Sequence, residues 1–265
     1  MTSITAPNAG SGPAKHGFLG LDYDLLPLDA VVSRLGARPA DAPFAYLVTP
    51  NVDHVVRLHD DTPDDREAIW AAYRAAEWCT CDSRILAALA RPRGIDLPVA
   101  PGSDLTPLVL DRLCRPGDRI AVIGGSESTV AALARLYPAL DIVQHRPPMG
   151  MRRNPDAMAA AVRFVVAARP RFTFLAVGSP QQELLAHMIA QDGGATGVGL
   201  CIGAAIEFVV GESKRAPRLF QRLHIEWAFR LLADPRRLWK RYLVTGPRIF
   251  RLVRDHHPEK PPPGV

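Results

Sequence analysis

The sequence is poor in cysteine and has no long apolar run, which disfavours a disulfide-stabilised protein and a membrane-spanning protein. Four cysteines among 265 residues, at irregular spacing, are too few for a disulfide framework, so we expect reduced thiols and a cytoplasmic protein. No stretch reaches the roughly 18 to 20 consecutive apolar residues that a membrane-spanning helix needs. The eight histidines lack any spacing typical of metal ligands, and we expect no metal site. Residues 1–16 are small and polar, which predicts a disordered leader and not a signal peptide.

Charge is distributed unevenly along the chain. From Gly211 onward there are 13 lysines and arginines against 5 aspartates and glutamates, net +8, so residues 1–210 carry net −3. Residues 211–254 interleave arginine with large apolar side chains at helical spacing, which predicts a basic amphipathic helical appendage. Such helices attract anionic lipid headgroups, diphosphates or nucleic acid. Residues 255–265 predict a disordered tail.

Residues 17–210 alternate short apolar runs with helical patterns, which predicts one α/β domain. The order is typical of a Rossmann-like, mostly parallel sheet with flanking helices. In such a sheet, ligands bind beyond the carboxyl ends of the strands, so the residues that follow each strand are the candidates for function. The predicted strands are 44–48, 77–80, 119–123, 141–144, 172–177 and 197–202.

Several polar or glycine residues stand at those predicted strand ends, and each has a structural alternative. Gly124 and Gly125, between a strand and a helix, can bring backbone N–H groups close to a phosphate or can serve a tight turn alone. Asp82 can act as a general base or as a helix cap. Thr49 and Asn51 can contact sugar hydroxyls or stabilise a turn. The glycine turn is not the G-x-G-x-x-G pattern of dinucleotide-binding oxidoreductases, which disfavours that enzyme class.

Two further segments combine polar or charged side chains in positions that suit ligand binding. Gly178 to Glu183 places an amide and a carboxylate in the first turn of a predicted helix, which is either one edge of a binding cleft or an ordinary helix start. The arginines of the appendage lie among aromatic residues, and water alone does not stabilise so many exposed apolar groups. A solvated helical face is therefore the weaker interpretation.

Taken in chain order, these segments resemble the WecG/TagA/CpsF family of bacterial glycosyltransferases, glycosyltransferase family 26. Each motif is modest alone, but their ordered occurrence between Thr49 and Tyr242 is specific. Three positions depart from the family pattern: Ser83 replaces a glycine, an arginine is missing before Gly102, and residues 148–151 differ from a Gly-Tyr-Phe-like segment. The matching segments are Thr49-Pro50-Asn51, Asp82, Gly102 to Leu105, Ile123-Gly124-Gly125, Gly178 to Glu183, Gly199 to Gly211, Arg215-Ala216-Pro217, Glu226-Trp227, Arg230, Asp234-Pro235-x-Arg237-Leu238 and Arg241-Tyr242.

The resemblance implies an inverting transfer of a sugar from a UDP-sugar to a polyprenyl-diphosphate-linked saccharide, at the inner face of the cytoplasmic membrane and during exopolysaccharide or cell-envelope synthesis. It implies no metal and no cofactor besides the UDP-sugar substrate. By this analogy Asp82 is the general base. The resemblance further implies that the donor is held by Thr49, Asn51, Gly124, Gly125, Gln182 and Glu207, and that the acceptor or a diphosphate is held by Arg215, Arg237 and Arg241.

A different function class also accounts for part of the sequence. A basic α/β protein that binds nucleic acid through its C-terminal helices explains the charge, but it leaves Asp82 and the Gly178 to Glu183 segment without a role. We therefore expect a peripheral membrane enzyme with no nucleic-acid partner. The sequence does not identify the donor sugar, the acceptor saccharide or the pathway, and it leaves a homo-oligomer open.

Overall fold

The computed structural model describes residues 14–60, 65–213 and 226–255. Most of the predicted leader and of the predicted tail, as well as Arg215, lie outside these residues. The predicted boundary between body and appendage near residue 211 stays a prediction. In the last range, nothing is described of the side chains of Glu226, Trp227, Arg230, Ala233 and Arg237.

A six-stranded parallel sheet forms the centre of the fold, in the spatial order β4-β3-β8-β7-β5-β6. The strands inside the sheet are mostly apolar, because helices cover both of its faces, whereas the edge strand β6 is more polar and less buried. The predicted α/β class with a parallel sheet is therefore confirmed. The strands are β3 Ala45–Val48, β4 Trp78–Cys79, β5 Arg119–Gly124, β6 Asp141–His145, β7 Phe172–Ala176 and β8 Val198–Cys201.

Helices pack on both faces of the sheet and enclose two apolar clusters. One cluster lies under α2 Val52–Leu58, α3 Arg66–Arg74, α4 Arg84–Ala90, α7 Pro155–Ala168 and α8 Gln181–Asp192. The other lies under α1 Leu28–Ala37, α5 Gly102–Arg112, α6 Glu127–Leu136 and α9 Ala205–Val209. Short 3-10 turns at Arg91–Arg93 and Met151–Arg153 complete the connections.

Polar caps determine where several helices begin. Asn51 Oδ1 accepts hydrogen bonds from the backbone N–H groups of Asp53 and His54 at the start of α2. Ser83 caps α4 and Ser126 caps α6, each through its hydroxyl oxygen. These caps satisfy backbone donors that the helix itself leaves unpaired, and they fix the direction in which the chain leaves the sheet.

An antiparallel hairpin, β1 Lys15–Phe18 and β2 Leu21–Asp24, precedes the sheet and has no counterpart among the predicted strands. Its first two residues fall within the predicted leader. The buried Asp24 joins the hairpin to the edge strand β4, because its Oδ2 accepts a hydrogen bond of 2.7 Å from the backbone N–H of Cys79. Burial raises the pKa of Asp24, partly offset by that hydrogen bond and by the nearby Lys15.

The C-terminal region is helical, as predicted. It comprises α10 Glu226–Ala233, α11 Pro235–Trp239, a π-helical segment Lys240–Thr245 and α12 Arg248–Asp255. Helix α12 packs against α2 and buries Ile249 and Val253 in the first apolar cluster. Within the described ranges, the helices are all too short or too polar to cross a bilayer.

We predict that Asp24→Ala lowers the free energy of unfolding by about 1 to 3 kcal/mol, because the buried N–H of Cys79 loses its acceptor. The measurement is urea denaturation followed by circular dichroism. Asp22→Ala is the matched control, since Asp22 is exposed on the same strand. Equal stability of the two variants would contradict the assigned role of Asp24.

Candidate active site at the carboxyl ends of the strands

Thr49 and Asn51 follow β3 directly, and both side chains contact neighbouring backbone. The Thr49 side chain is buried, and its hydroxyl donates to the carbonyl of Cys201 at the end of β8, 3.2 Å away. Gly102 at the start of α5 packs against the same hydroxyl, since a Cβ there would lie 3.4 Å from Thr49 Oγ1. Thr49 thus joins the ends of β3 and β8, and Asn51 caps α2, while their contact with sugar hydroxyls stays a prediction. The loop after β3 is held against the ends of β8 and α5.

Asp82 lies half-buried in the loop beyond β4 and adjoins the loop that contains Asn51. Its backbone N–H donates to the carbonyl of Pro50, with an N–O distance of 3.1 Å. The cap of α4 is not Asp82 but Ser83, whose Oγ accepts from the N–H of Leu86. The capping interpretation of Asp82 is therefore wrong. The serine that departs from the family pattern has a structural role of its own.

Gly124 and Gly125 form the turn between β5 and α6. Gly124 has φ +94°, and a Cβ there would lie 2.8 Å from the carbonyl oxygen of Ala176 on β7. Gly125 is exposed with φ +68°, and a Cβ there would make an ordinary contact with Val130 at 3.7 Å. Gln144 on β6 holds the turn by donating from Nε2 to the carbonyls of both glycines, at 2.9 and 3.3 Å. Close packing against β7 explains Gly124, whereas the positive φ of the exposed Gly125 explains the second glycine of the turn.

Gln182 and Glu183, in the first turn of α8, are both buried. Gln182 Oε1 accepts from the backbone N–H of Gly203 beyond β8 at 3.0 Å, so its Nε2 must face Glu183, to whose Oε1 it donates at 2.8 Å. Burial raises the pKa of Glu183, and the neighbouring Ser179 and Tyr73 hydroxyls offset part of that shift. The Gln182 amide therefore ties the loops after β7 and β8 together.

Glu207, predicted near the nucleotide, lies half-buried on α9, which follows β8. Its Oε2 accepts from the hydroxyl of Ser213 at 2.9 Å. The adjoining Glu212 accepts from the hydroxyl of Thr129 on α6 at 2.6 Å. These contacts bring the segment after β8 to the start of α6, beside the glycine turn.

Of the three predicted arginines, Arg241 joins this group of loops. Its Nη2 donates to Asn51 Oδ1 at 3.4 Å, and its Nε lies 3.4 Å from Asp53 Oδ2. Asp53 is buried and also pairs with Arg57. Arg237 belongs to α11, but its side chain and the whole of Arg215 lie outside the description.

The sequence analysis missed Asp53 and Gln144, which orient predicted site residues. An acidic residue two positions after a cap such as Asn51 is a signal for Asp53, since carboxylates are favoured in the first turn of a helix. Gln144 has no comparable signal, because strand pairing alone brings it to the glycine turn. Among residues 14–60, 65–213 and 226–255, no group of three histidine, cysteine, aspartate or glutamate side chains is arranged to hold a metal ion.

Comparison with known proteins gives two findings. The family described as "Glycosyl transferase WecG/TagA/CpsF family" matches residues 16–260 of this chain. A curated relative from Bacillus spizizenii, N-acetylglucosaminyldiphosphoundecaprenol N-acetyl-beta-D-mannosaminyltransferase, is 29% identical over 163 residues. That alignment covers 58% of this chain and 59% of the relative, less than two thirds of its length.

We predict that Gly124→Ala destabilises the protein more than Gly117→Ala. Both glycines have positive φ, +94° and +86°, so each substitution carries a backbone cost of about 1 to 2 kcal/mol. Only the alanine at position 124 meets a backbone oxygen, which adds roughly 1 to 3 kcal/mol, whereas the space beside Gly117 is open. Thermal or urea denaturation measures the difference, and equal losses would contradict the close packing at β7.

Proposed function

The chain belongs to the WecG/TagA/CpsF family of glycosyl transferases, and on that premise we propose that it transfers a sugar from a UDP-sugar to a polyprenyl-diphosphate-linked saccharide. The name of the Bacillus spizizenii relative describes transfer of N-acetylmannosamine to undecaprenyl-diphosphate-linked N-acetylglucosamine. An acceptor of that type is the starting proposal for this chain. The donor sugar is left to experiment.

The observation that carries the proposal is the contact between the loops after β3 and β4. The N–H of Asp82 donates to the carbonyl of Pro50, the residue between Thr49 and Asn51, so the backbone at Asp82 adjoins the loop that carries these two polar side chains. Arg241 reaches Asn51 from the C-terminal region. We therefore propose that a base, sugar-binding groups and a cation come from separate elements at this edge of the sheet.

We propose that Asp82 takes the proton of the acceptor hydroxyl as its oxygen attacks the anomeric carbon of the donor sugar. The bond from that carbon to UDP breaks as the new one forms, so the configuration inverts and UDP leaves with its electron pair. Helix N-termini and arginines stabilise negative charge. The turn that precedes α6, at Gly125, and the Arg241 guanidinium are the groups proposed for this role, with UDP-sugar as the sole cosubstrate.

The described part of the C-terminal region supports a role at the membrane surface. Exposed apolar side chains alternate there with exposed lysine and arginine, a pattern that binds anionic lipid headgroups. On α12 the apolar residues Ile249 and Val253 are buried, whereas Phe250 faces outward. We propose peripheral attachment to the inner face of the cytoplasmic membrane. The large apolar residues described as exposed in this C-terminal region are Leu232, Trp239, Leu243, Val244 and Phe250.

The decisive activity test uses a panel of radiolabelled UDP-sugars with a prenyl-diphosphate-linked N-acetylglucosamine acceptor. We expect Asp82→Asn to lower turnover by roughly 10²- to 10⁴-fold, the contribution typical of a general base, while UDP binding is retained. Asp96→Asn, which changes an exposed aspartate farther along the chain, is the matched control. Full activity of Asp82→Asn would reject the base assignment.

The same assay separates the proposal from its rival. Absence of transfer from every donor, together with tight and salt-sensitive binding of nucleic acid, would favour a nucleic-acid-binding protein instead.

We predict that the double variant Trp239→Ser, Phe250→Ser binds phosphatidylglycerol vesicles at least tenfold more weakly than the wild type. Each aromatic side chain contributes about 1.5 to 3 kcal/mol to the free energy of binding when it leaves water. A tenfold change in the binding constant corresponds to about 1.4 kcal/mol. Vesicle sedimentation measures the binding. Leu136→Ser, at an exposed apolar residue on α6, is the control, and equal losses in both proteins would count against the appendage as the membrane contact.

A further inference from the structure

A cleft of about 220 Å³ opens between α2, α3 and the loop before α8. It adjoins the strand ends through Ser179 and Pro180, which follow β7. It also contains charged and hydroxyl groups that have no part in the proposed chemistry. The cleft is lined by His54, Arg57, Leu58, Asp60, Arg66, Ile69, Tyr73, Arg152, Ser179 and Pro180.

The floor of the cleft contains polar atoms that the protein does not pair. Tyr73 is only 3% exposed, yet its hydroxyl has no hydrogen-bond partner of good geometry among the described residues. His54 Nδ1 is buried and unpartnered in the same sense, whereas the Tyr73 hydroxyl lies close to Ser179 and Glu183. A buried polar atom without a partner costs about 1 to 3 kcal/mol. His54 and Tyr73 both line the cleft, so a polar ligand there can supply them with hydrogen bonds.

The protonation states suit a ligand rich in hydroxyl groups. Burial raises the pKa of Tyr73 well above its usual range, so the phenol keeps its proton and can donate it in a hydrogen bond. Burial and the charges of Arg241 and Arg57 lower the pKa of His54 to about 3, so its imidazole is neutral at neutral pH. Uncharged donors and acceptors of this kind pair with sugar hydroxyls at low desolvation cost.

The rim of the cleft is cationic, with Arg57, Arg66 and Arg152 against Asp60. Arg57 donates to the carbonyl of Ser179 at 3.1 Å and also pairs with the buried Asp53. Arg152 Nε lies 3.1 Å from an Asp65 oxygen. A guanidinium has five N–H donors, so these contacts leave donors on both side chains, and the planar group suits phosphate oxygens.

The position of the cleft favours the lipid-linked substrate over the nucleotide. Asp60 at its edge pairs with Arg248, the first residue of α12, at 3.0 Å. That helix also carries the exposed Phe250. Arg57, which lines the cleft, forms a salt bridge with Asp53. Asp53 also pairs with Arg241, and Arg241 donates to Asn51. The cleft thus lies between the proposed membrane contact and the strand ends where the sugar would be transferred.

We propose that this cleft binds the sugar and diphosphate of the lipid-linked acceptor, with Tyr73 and Ser179 contacting sugar hydroxyls and Arg57, Arg66 and Arg152 contacting phosphate. This inference rests on the proposed transferase function and adds the location of the acceptor to it.

Tyr73→Phe tests the floor of the cleft, since it removes one hydroxyl and keeps the ring. With N-acetylglucosamine linked through diphosphate to a short prenyl chain, we expect the acceptor KM to rise roughly three- to tenfold, the value of one hydrogen bond, while the donor KM is unchanged. Tyr23→Phe is the matched control, because the Tyr23 hydroxyl is also buried and unpartnered but lies on β2, outside the cleft.

Arg152→Gln tests the rim of the cleft. We expect the acceptor KM to rise by about tenfold or more and the donor KM to stay constant, because a charged hydrogen bond to phosphate is lost. Arg112→Gln is the control, since Arg112 pairs with Asp29 on the surface between α1 and α5.

Calorimetry with the same prenyl-linked probe and with UDP separates the possible failures. Equal binding of the probe by the wild type, Tyr73→Phe and Arg152→Gln would overturn the cleft assignment. Loss confined to UDP would also overturn it, because the cleft would then belong to the donor. A wild type that binds the probe through the cleft but transfers no sugar would reject the proposed function and leave the acceptor location supported.

Discussion

The candidate site depends on the parallel register of the sheet. Val48 of β3 pairs with Cys201 of β8, which pairs in turn with Leu175 of β7, and Leu175 pairs with Ile123 of β5. Four strands therefore end at nearly the same level, and the loops that follow them meet. Two hydrogen bonds then join these loops: the Thr49 hydroxyl to the carbonyl of Cys201, and the N–H of Gly203 to Gln182.

Electrostatic contacts extend this arrangement to the C-terminal region. The buried Asp53 pairs with Arg57 on its own helix and with Arg241 from the π-helical segment. Two guanidinium groups compensate the cost of burying one carboxylate. Because α12 also buries Ile249 and Val253 against α2, the region with the basic, partly apolar surface is attached to the element that begins at Asn51. Arg241 and Arg248, two cations of the basic C-terminal stretch, are thus held against α2 and the residues that flank it.

The sheet and the placement of Thr49, Asn51, Asp82 and Gln182 after strand ends could be predicted from the sequence, since apolar runs followed by polar turns identify the ends of parallel strands. The β1–β2 hairpin could not, because four-residue strands with lysine, histidine and aspartate lack a clear apolar pattern. The cleft was also missed. Tyr73 and Arg152 are far apart in the chain and occupy ordinary helical patterns, and only tertiary packing brings them together with Ser179.

We propose that the strand-end loops carry out a displacement in which Asp82 activates the acceptor hydroxyl. The anomeric configuration of the product tests this mechanism, measured by NMR from the one-bond carbon–proton coupling of the newly linked sugar. With an α-linked UDP-sugar, we expect a β-linked product on the prenyl-diphosphate acceptor. A product that retains the α configuration would contradict the mechanism.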